Sequence, residues 1–189
     1  MIYRKYMIVF QMDQITGFLD GSNIYGSSDS KQRELREGRG GRLRVQNVRG
    51  RSLLPENRGE CTDDNDELAC FKAGDTRVNE QVELAVLHTI WLREHNRVAT
   101  ELARLNPTWN DETLFQEARR IVVAEMQHIT YNEFLPLLLG RDYMDKFELT
   151  PRDSGFTQLY DDTLNPSITN VFATAAFRFG HSLIQGHMQ

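Results

Sequence analysis

The sequence predicts a mainly α fold. Two long amphipathic segments and one apolar helical run near the C-terminus carry that reading. From Asn79 to Leu105, the residues Leu84, Leu87, Trp91, Val98, Leu102 and Leu105 recur at intervals of three, four and seven, the spacing of one helix face. Twenty-seven residues there would make a rod of about 40 Å. Asn106-Pro107 stops it, because proline has no N–H to donate and disfavours helix in the residue before it. A second helix begins after Asn110, an N-cap with Asp111 and Glu112 in the electropositive first turn. It passes Ile121, Val122 and Met126 to about Tyr131, and then runs toward Gly140. The third helix is expected over residues 166–185.

The remaining segments read in chain order. Residues 1–13 are irregular and stay unassigned. The stretch from Ile15 to Gly38 opens with turn chemistry at Gly17, Asp20-Gly21 and Gly26-Ser27-Ser28. Ser28 or Ser30 then caps a short helix through Lys31–Arg36. GRGGRLRVQNVRGRSLLPENRGE is rich in Gly and Arg. It reads as a solvated loop with one short strand at Arg42–Val45, rather than as an RNA contact. Residues 141–165 read as a loop.

Composition narrows the class. The 189 residues are enough for one domain with a real core, and 40% apolar with 26% charged residues fits a globular protein. A net charge of −5, with Lys and Arg scattered, leaves no footprint for nucleic acid. Phe134–Leu139, among the longest apolar runs, is broken by Pro136 and is far too short to span a bilayer. No transmembrane segment is expected. MIYRKYMIVFQMDQ has only four consecutive apolar residues and no small-residue cleavage site, so no export signal is visible.

Four places could carry chemistry. In AAFRFGHSLIQ, Phe177, Arg178 and His181 fall within one helical turn, and Ala176 and Gly180 leave room beside them for a flat object. A core histidine bonded to a carbonyl fits the same pattern. In GDTRVNE, Arg77 sits where a loop meets a helix, and such an arginine can stabilise developing negative charge. Simple capping by Asp75 or Asn79, with Glu80 as dipole partner, fits equally. TGFLDGS alternates oxygen donors of the kind Ca²⁺ prefers, at Thr16, Asp20 and Ser22, but with a single carboxylate. A plain Asp-Gly turn is the alternative. Cys61 and Cys70 flank an acidic loop and match no zinc spacing. They are two free thiols, or a small-loop disulfide in an oxidising compartment. His88, His95 and His128 read as structural.

Together these pieces resemble the animal haem peroxidase family. The residues that carry the resemblance are TGFLDGSNIYGS, LLP, CFKAGDTRVNE, LHTIWLREHNRVATELARLNPTW, EARRIVVAEMQHITYNEFLP and NVFATAAFRFGHSLIQ. They stand in the family's order, and peroxidasin-like members look nearest. The resemblance implies the family's helical domain over residues 14–189, incomplete at both ends. It implies haem as cofactor, H₂O₂ as oxidant, and a halide, phenolic or tyrosyl electron donor. His181 would be the axial ligand of the iron and Arg77 the distal catalytic arginine. Glu80 would form an ester with a haem methyl, and Arg178 would lie near a propionate. Thr16, Phe18 through its carbonyl, Asp20 and Ser22 would bind a structural Ca²⁺. Cys61 and Cys70 would form a family disulfide, and the parent protein would be secreted.

The departures concern both ends. The family's distal histidine, and the aspartate after it, lie upstream of TGFLDGS, whereas the fifteen residues before Thr16 contain no His. The asparagine that bonds the proximal imidazole in the family lies beyond Gln189. Residues 1–189 alone are therefore expected to be inactive. The alternative function is a non-catalytic haem-binding or matrix module derived from a peroxidase domain.

Overall fold

The computed structural model describes residues 15–57 and 70–183. It divides into two compact units, Leu19–Gln158 and a smaller one formed by Met1–Phe18 with Leu159–Gln189.

The larger unit is built on two helices, α3 (Val82–Leu105) and α4 (Asp111–Ile129). The Asn110 side chain accepts from the Thr113 N–H at 2.9 Å and starts α4. Asn106 ends α3, with both its backbone N–H and its side-chain amide donating to the Leu102 carbonyl. Helix α4 buries Leu114, Phe115, Ala118 and Val122, one stripe at three- and four-residue spacing. Ala99 and Ala118 have no exposed surface, and both belong to the core cluster.

Two expectations for α3 need correction. The helix begins at Val82, not Asn79, because Thr76–Asn79 forms a tighter 3₁₀ turn and Gln81 is extended at φ −159°. Its buried face runs through His88, Leu92, His95 and Ala99, while Leu87 and Leu105 are 53% and 63% exposed. Hydrophobic periodicity misplaces the stripe because two of its members are histidines. The opposite face carries Val82, Val86, Leu87 and Ile90 in the open.

Ahead of these lie α1 (Ser22–Tyr25) and α2 (Asp29–Leu35), the latter capped by Ser28, whose hydroxyl accepts from Lys31 N–H at 3.2 Å. The strand expected at 42–45 is displaced. Leu43 instead bridges Arg36, and its N–H and carbonyl are both bonded by the Asn96 side chain of α3. The hairpin follows as β1 (Gln46–Val48) and β2 (Arg51–Leu53), antiparallel with Val48 opposite Arg51. The two-residue turn Arg49-Gly50, both at positive φ, sets that register.

After α4, a π turn (Thr130–Phe134) leads into α5 (Leu135–Leu139). Pro136 supplies no N–H for the usual four-residue bond, and the wider turn makes room for its ring. Gly140 at φ 77° then reverses the chain into α6 (Arg141–Lys146), a helix where a loop is expected.

The core centres on three rings. Tyr25, His95 and Phe115 lie 5.2–5.8 Å apart between centroids. His95 Nε2 is 2.8 Å from the Gly41 carbonyl and Nδ1 is 2.9 Å from the Tyr25 hydroxyl. A carbonyl can only accept, so Nε2 carries the proton and Tyr25 donates to Nδ1. Asp111 accepts from Gly41 N–H at 2.7 Å and pairs with Arg36, which also covers the Phe115 ring at 4.2 Å. Gly41 is thus bonded on both sides. It has φ +68°, and an added Cβ would stand 2.6 Å from Leu114 Cβ and from Phe115 N. Gly41→Ala is expected to cost roughly 2–4 kcal/mol through strain and overpacking. Urea unfolding of the variant against wild type measures it.

The smaller unit contains α7 (Asn170–Thr174), capped by Thr169, and a 3₁₀ helix over Ala176–Leu183. The continuous helix expected over 166–185 is therefore two short pieces, broken at Ala175 with φ −131°; positions 184 and 185 lie outside the described residues. None of the described residues of this unit is buried. Most helical stability comes from packing an apolar face, and short helices without it are marginal. No helix among the described residues is long and apolar enough to cross a membrane.

Candidate functional site

Arg77 is positioned by a loop that cannot shift easily. Gly74 packs so closely on α1 that an added Cβ would lie 2.4 Å from the Ser22 carbonyl oxygen and from Gly26 N. Asp75 N–H donates to the Asn23 carbonyl at 3.0 Å. The Asp75 carboxylate then grips Arg77 at three points: its backbone N–H at 2.8 Å, Nε at 3.0 Å and Nη2 at 2.7 Å. Asn79 clamps the neighbouring segment by exchanging two bonds with the Phe71 backbone. Asp75 does cap the 3₁₀ turn, but it also orients the guanidinium, a role the sequence reading missed. The D-x-R spacing was the available signal.

The pairing sets the charges. The Arg77 guanidinium holds the Asp75 carboxyl below the usual carboxylate range, against the opposing effect of burial. The same contact raises Arg77 further. One edge of the fork is occupied, and Nη1 donates to no described residue. The result is a permanent cation, 65% exposed at the side chain, with spare donors in a preset direction. Glu80 follows in the same turn, exposed, its backbone N–H on the Arg77 carbonyl. Its carboxylate forms no salt bridge among the described residues, but its charge adds to the rise at Arg77.

The calcium candidates divide between the units. In the larger, Asp20 Oδ1 accepts from Ser22 N–H at 2.9 Å. In the smaller, Thr16 Oγ1 accepts from Phe18 N–H at 3.1 Å. No three His, Cys, Asp or Glu converge among the described residues. Asp20 and Ser22 therefore fit as part of a calcium site and not as a whole one.

His181 and Arg178 share the 3₁₀ helix of the smaller unit. With three residues per turn, positions i and i+3 eclipse, so these two align while Phe177 falls in line with Gly180. That corrects the face expected from α-helical spacing. His181 Nδ1 donates to the Arg178 carbonyl at 2.9 Å. This leaves the Nε2 lone pair outward and free among the described residues. A metal-bound histidine ordinarily shows this arrangement, its second nitrogen tied to a carbonyl. An added Cβ on Gly180 would meet nothing within 4 Å. The donor and the clearance beside it fit a planar iron cofactor.

A family model for the animal haem peroxidase matches residues 7–189. The chain belongs to that family. It is 50% identical over 181 residues to a chorion peroxidase of Drosophila melanogaster, covering 95% of the chain and 22% of that protein. It is 46% identical over 183 residues to a human peroxidasin homolog, covering 92% of the chain and 12% of that protein. Among solved structures, peroxidase A of Dictyostelium discoideum matches with a TM-score of 0.70 and 36% identity, over 87% of this chain and 31% of that one. The chain thus spans about a fifth or less of the curated relatives named here. As a member of this family it is expected to take haem. Cys61 lies outside the described residues.

Proposed function

We propose that the full-length protein is a haem peroxidase that consumes H₂O₂ to oxidise halide, phenolic or tyrosyl donors. His181 holds the iron through Nε2, and the Arg178 carbonyl fixes its tautomer. The Arg178 side chain, without a carboxylate partner among the described residues, pairs with a haem propionate. Glu80, exposed and without a salt bridge among the described residues, would supply the carboxylate for an ester with a haem methyl, the methyl losing one C–H bond and two electrons to one H₂O₂, which leaves as two waters. Haem, when bound, supplies the redox centre for cleaving the peroxide O–O bond. Thr16, the Phe18 carbonyl, Asp20 and Ser22 contribute to a structural Ca²⁺ site. Cys61 and Cys70 form a disulfide, a reading supported by Cys70 not being a free thiol. Such a bridge, and a relative named for the chorion, support an extracellular location.

The observation that carries the reading is the Asp75–Arg77 fork. Arg77 points its spare N–H groups at bound peroxide and stabilises the negative charge on the departing oxygen. Because Asp75 holds the guanidinium before substrate arrives, little reorganisation is needed when that charge appears. Arg77→Gln is expected to lower kcat/KM for H₂O₂ by about 10²–10³-fold while leaving the Soret band in place. Stopped-flow kinetics with a phenolic donor decide it, and an unchanged kcat/KM would remove Arg77 from the site. A wild-type protein with a Soret band but no peroxide-dependent oxidation would instead be a haem-binding module.

A further inference from the structure

The Gly- and Arg-rich segment remains unused by this chemistry. Between Glu37 and Glu56 there is no acidic residue, but there are five arginines, in a chain of net charge −5. Arg42 is consumed by Glu37, through Nε at 2.9 Å and Nη2 at 3.0 Å. Arg39, Arg44, Arg49 and Arg51 are exposed and have no carboxylate partner among the described residues.

The segment is held in place rather than loose. Leu43 and Leu54 are buried in the core. Asn96 of α3 bonds both backbone groups of Leu43, and Arg93, one turn earlier, donates from Nε to the Ser52 carbonyl at 2.7 Å. Arg93 therefore adds its own exposed charge beside β2. At about 3.3 Å per residue, Arg49 and Arg51 lie within roughly 7 Å of each other. Arg49 stands at the hairpin tip with φ 51°, a position that favours Asn or Gly, where a long side chain is uncommon. Local strain of this kind is retained where the residue itself has a use.

We infer that the hairpin face of Arg44, Arg49, Arg51 and Arg93 is a docking surface for a sulfated polysaccharide. Guanidinium forks match planar-edged sulfate oxygens bidentately. The chemistry favours a saccharide over nucleic acid because residues 38–57 contain no aromatic side chain, leaving nothing for a base to stack on. The inference does not depend on peroxidase activity.

The test uses the full-length protein, heparin, chemically desulfated heparin and single-stranded DNA of matched length, over a salt series. Heparin is expected to bind and its desulfated form not. R49Q/R51Q should weaken binding about tenfold and lower the slope of log affinity against log salt by about two. R49N removes one charge at a position where Asn is favoured, so it should melt no lower than wild type and still bind heparin more weakly. Equal heparin affinity of wild type and both variants would overturn the proposal. So would an absence of heparin binding at low salt, or DNA binding as tight as heparin.

Discussion

His95→Ala is expected to destabilise the protein by about 4 kcal/mol, a large part of the stability of an ordinary domain. His95 is 0% exposed, so truncation leaves a cavity against Tyr25 and Phe115. It also leaves the Tyr25 hydroxyl and the Gly41 carbonyl buried without their partner. The imidazole is neutral in the fold. Burial lowers its pKa from 6.5 to about 4, the nearby Arg36 charge acts in the same direction, and the bond to Gly41 opposes them. Burial likewise pushes the Tyr25 phenol up, so it stays a donor. The pH consequence follows from the sign of the shift. The unfolded chain takes up this proton below 6.5 and the fold only near 4. Stability is therefore complete above pH 6.5 and is lost progressively as pH falls toward 4, by about 3 kcal/mol in all. His95→Gln keeps a donor and an acceptor but does not titrate. Urea unfolding at pH 7, 5.5 and 4.5 should show the acid slope in wild type and a shallower one in H95Q. Identical slopes would assign the acid sensitivity elsewhere.

His181→Ala in the full-length protein is expected to abolish the Soret band of the haem-loaded state, and peroxide-dependent oxidation with it. The loss should exceed the roughly 10–100-fold that removing an outer-shell partner costs a metal site, because the substitution deletes the donor atom itself. Among the described residues, His181 alone combines an exposed imidazole, a nitrogen tied to a neighbouring carbonyl and an open flank at Gly180. Absorbance and pyridine haemochrome content read the result without relying on turnover. A variant with an unchanged spectrum would end the assignment of His181 to the iron.

Much of the scaffold is legible residue by residue. The Asn110 cap, the stop at Asn106-Pro107 and the Ser28 cap depend on hydrogen bonds within four residues. Such bonds are properties of the local chain, and reading them needs no knowledge of what lies opposite. The helical class and the family motifs belong to the same level. The identity of the chemically interesting residues is local too, since DTR and GH are adjacent or nearly so. Even so, the way each is held differs from expectation, because a 3₁₀ turn at Thr76–Asn79 stands where a loop leading into α3 is expected, and another at Ala176–Leu183 replaces the expected α-helix.

What the sequence by itself determined is therefore the mainly α class, the two long helices with the caps at Ser28 and Asn110 and the stop at Asn106-Pro107, and the family. Tertiary structure decided which face of α3 is buried, because His95 becomes a core residue only through Gly41 and Tyr25, 54 and 70 positions away. It decided that the Arg-rich segment is an anchored hairpin, because Asn96 and Arg93 reach it from another element. In each case a polar side chain is made tolerable in the core, or a loop made rigid, by a partner distant in sequence. Hydrophobic spacing carries no record of such partners.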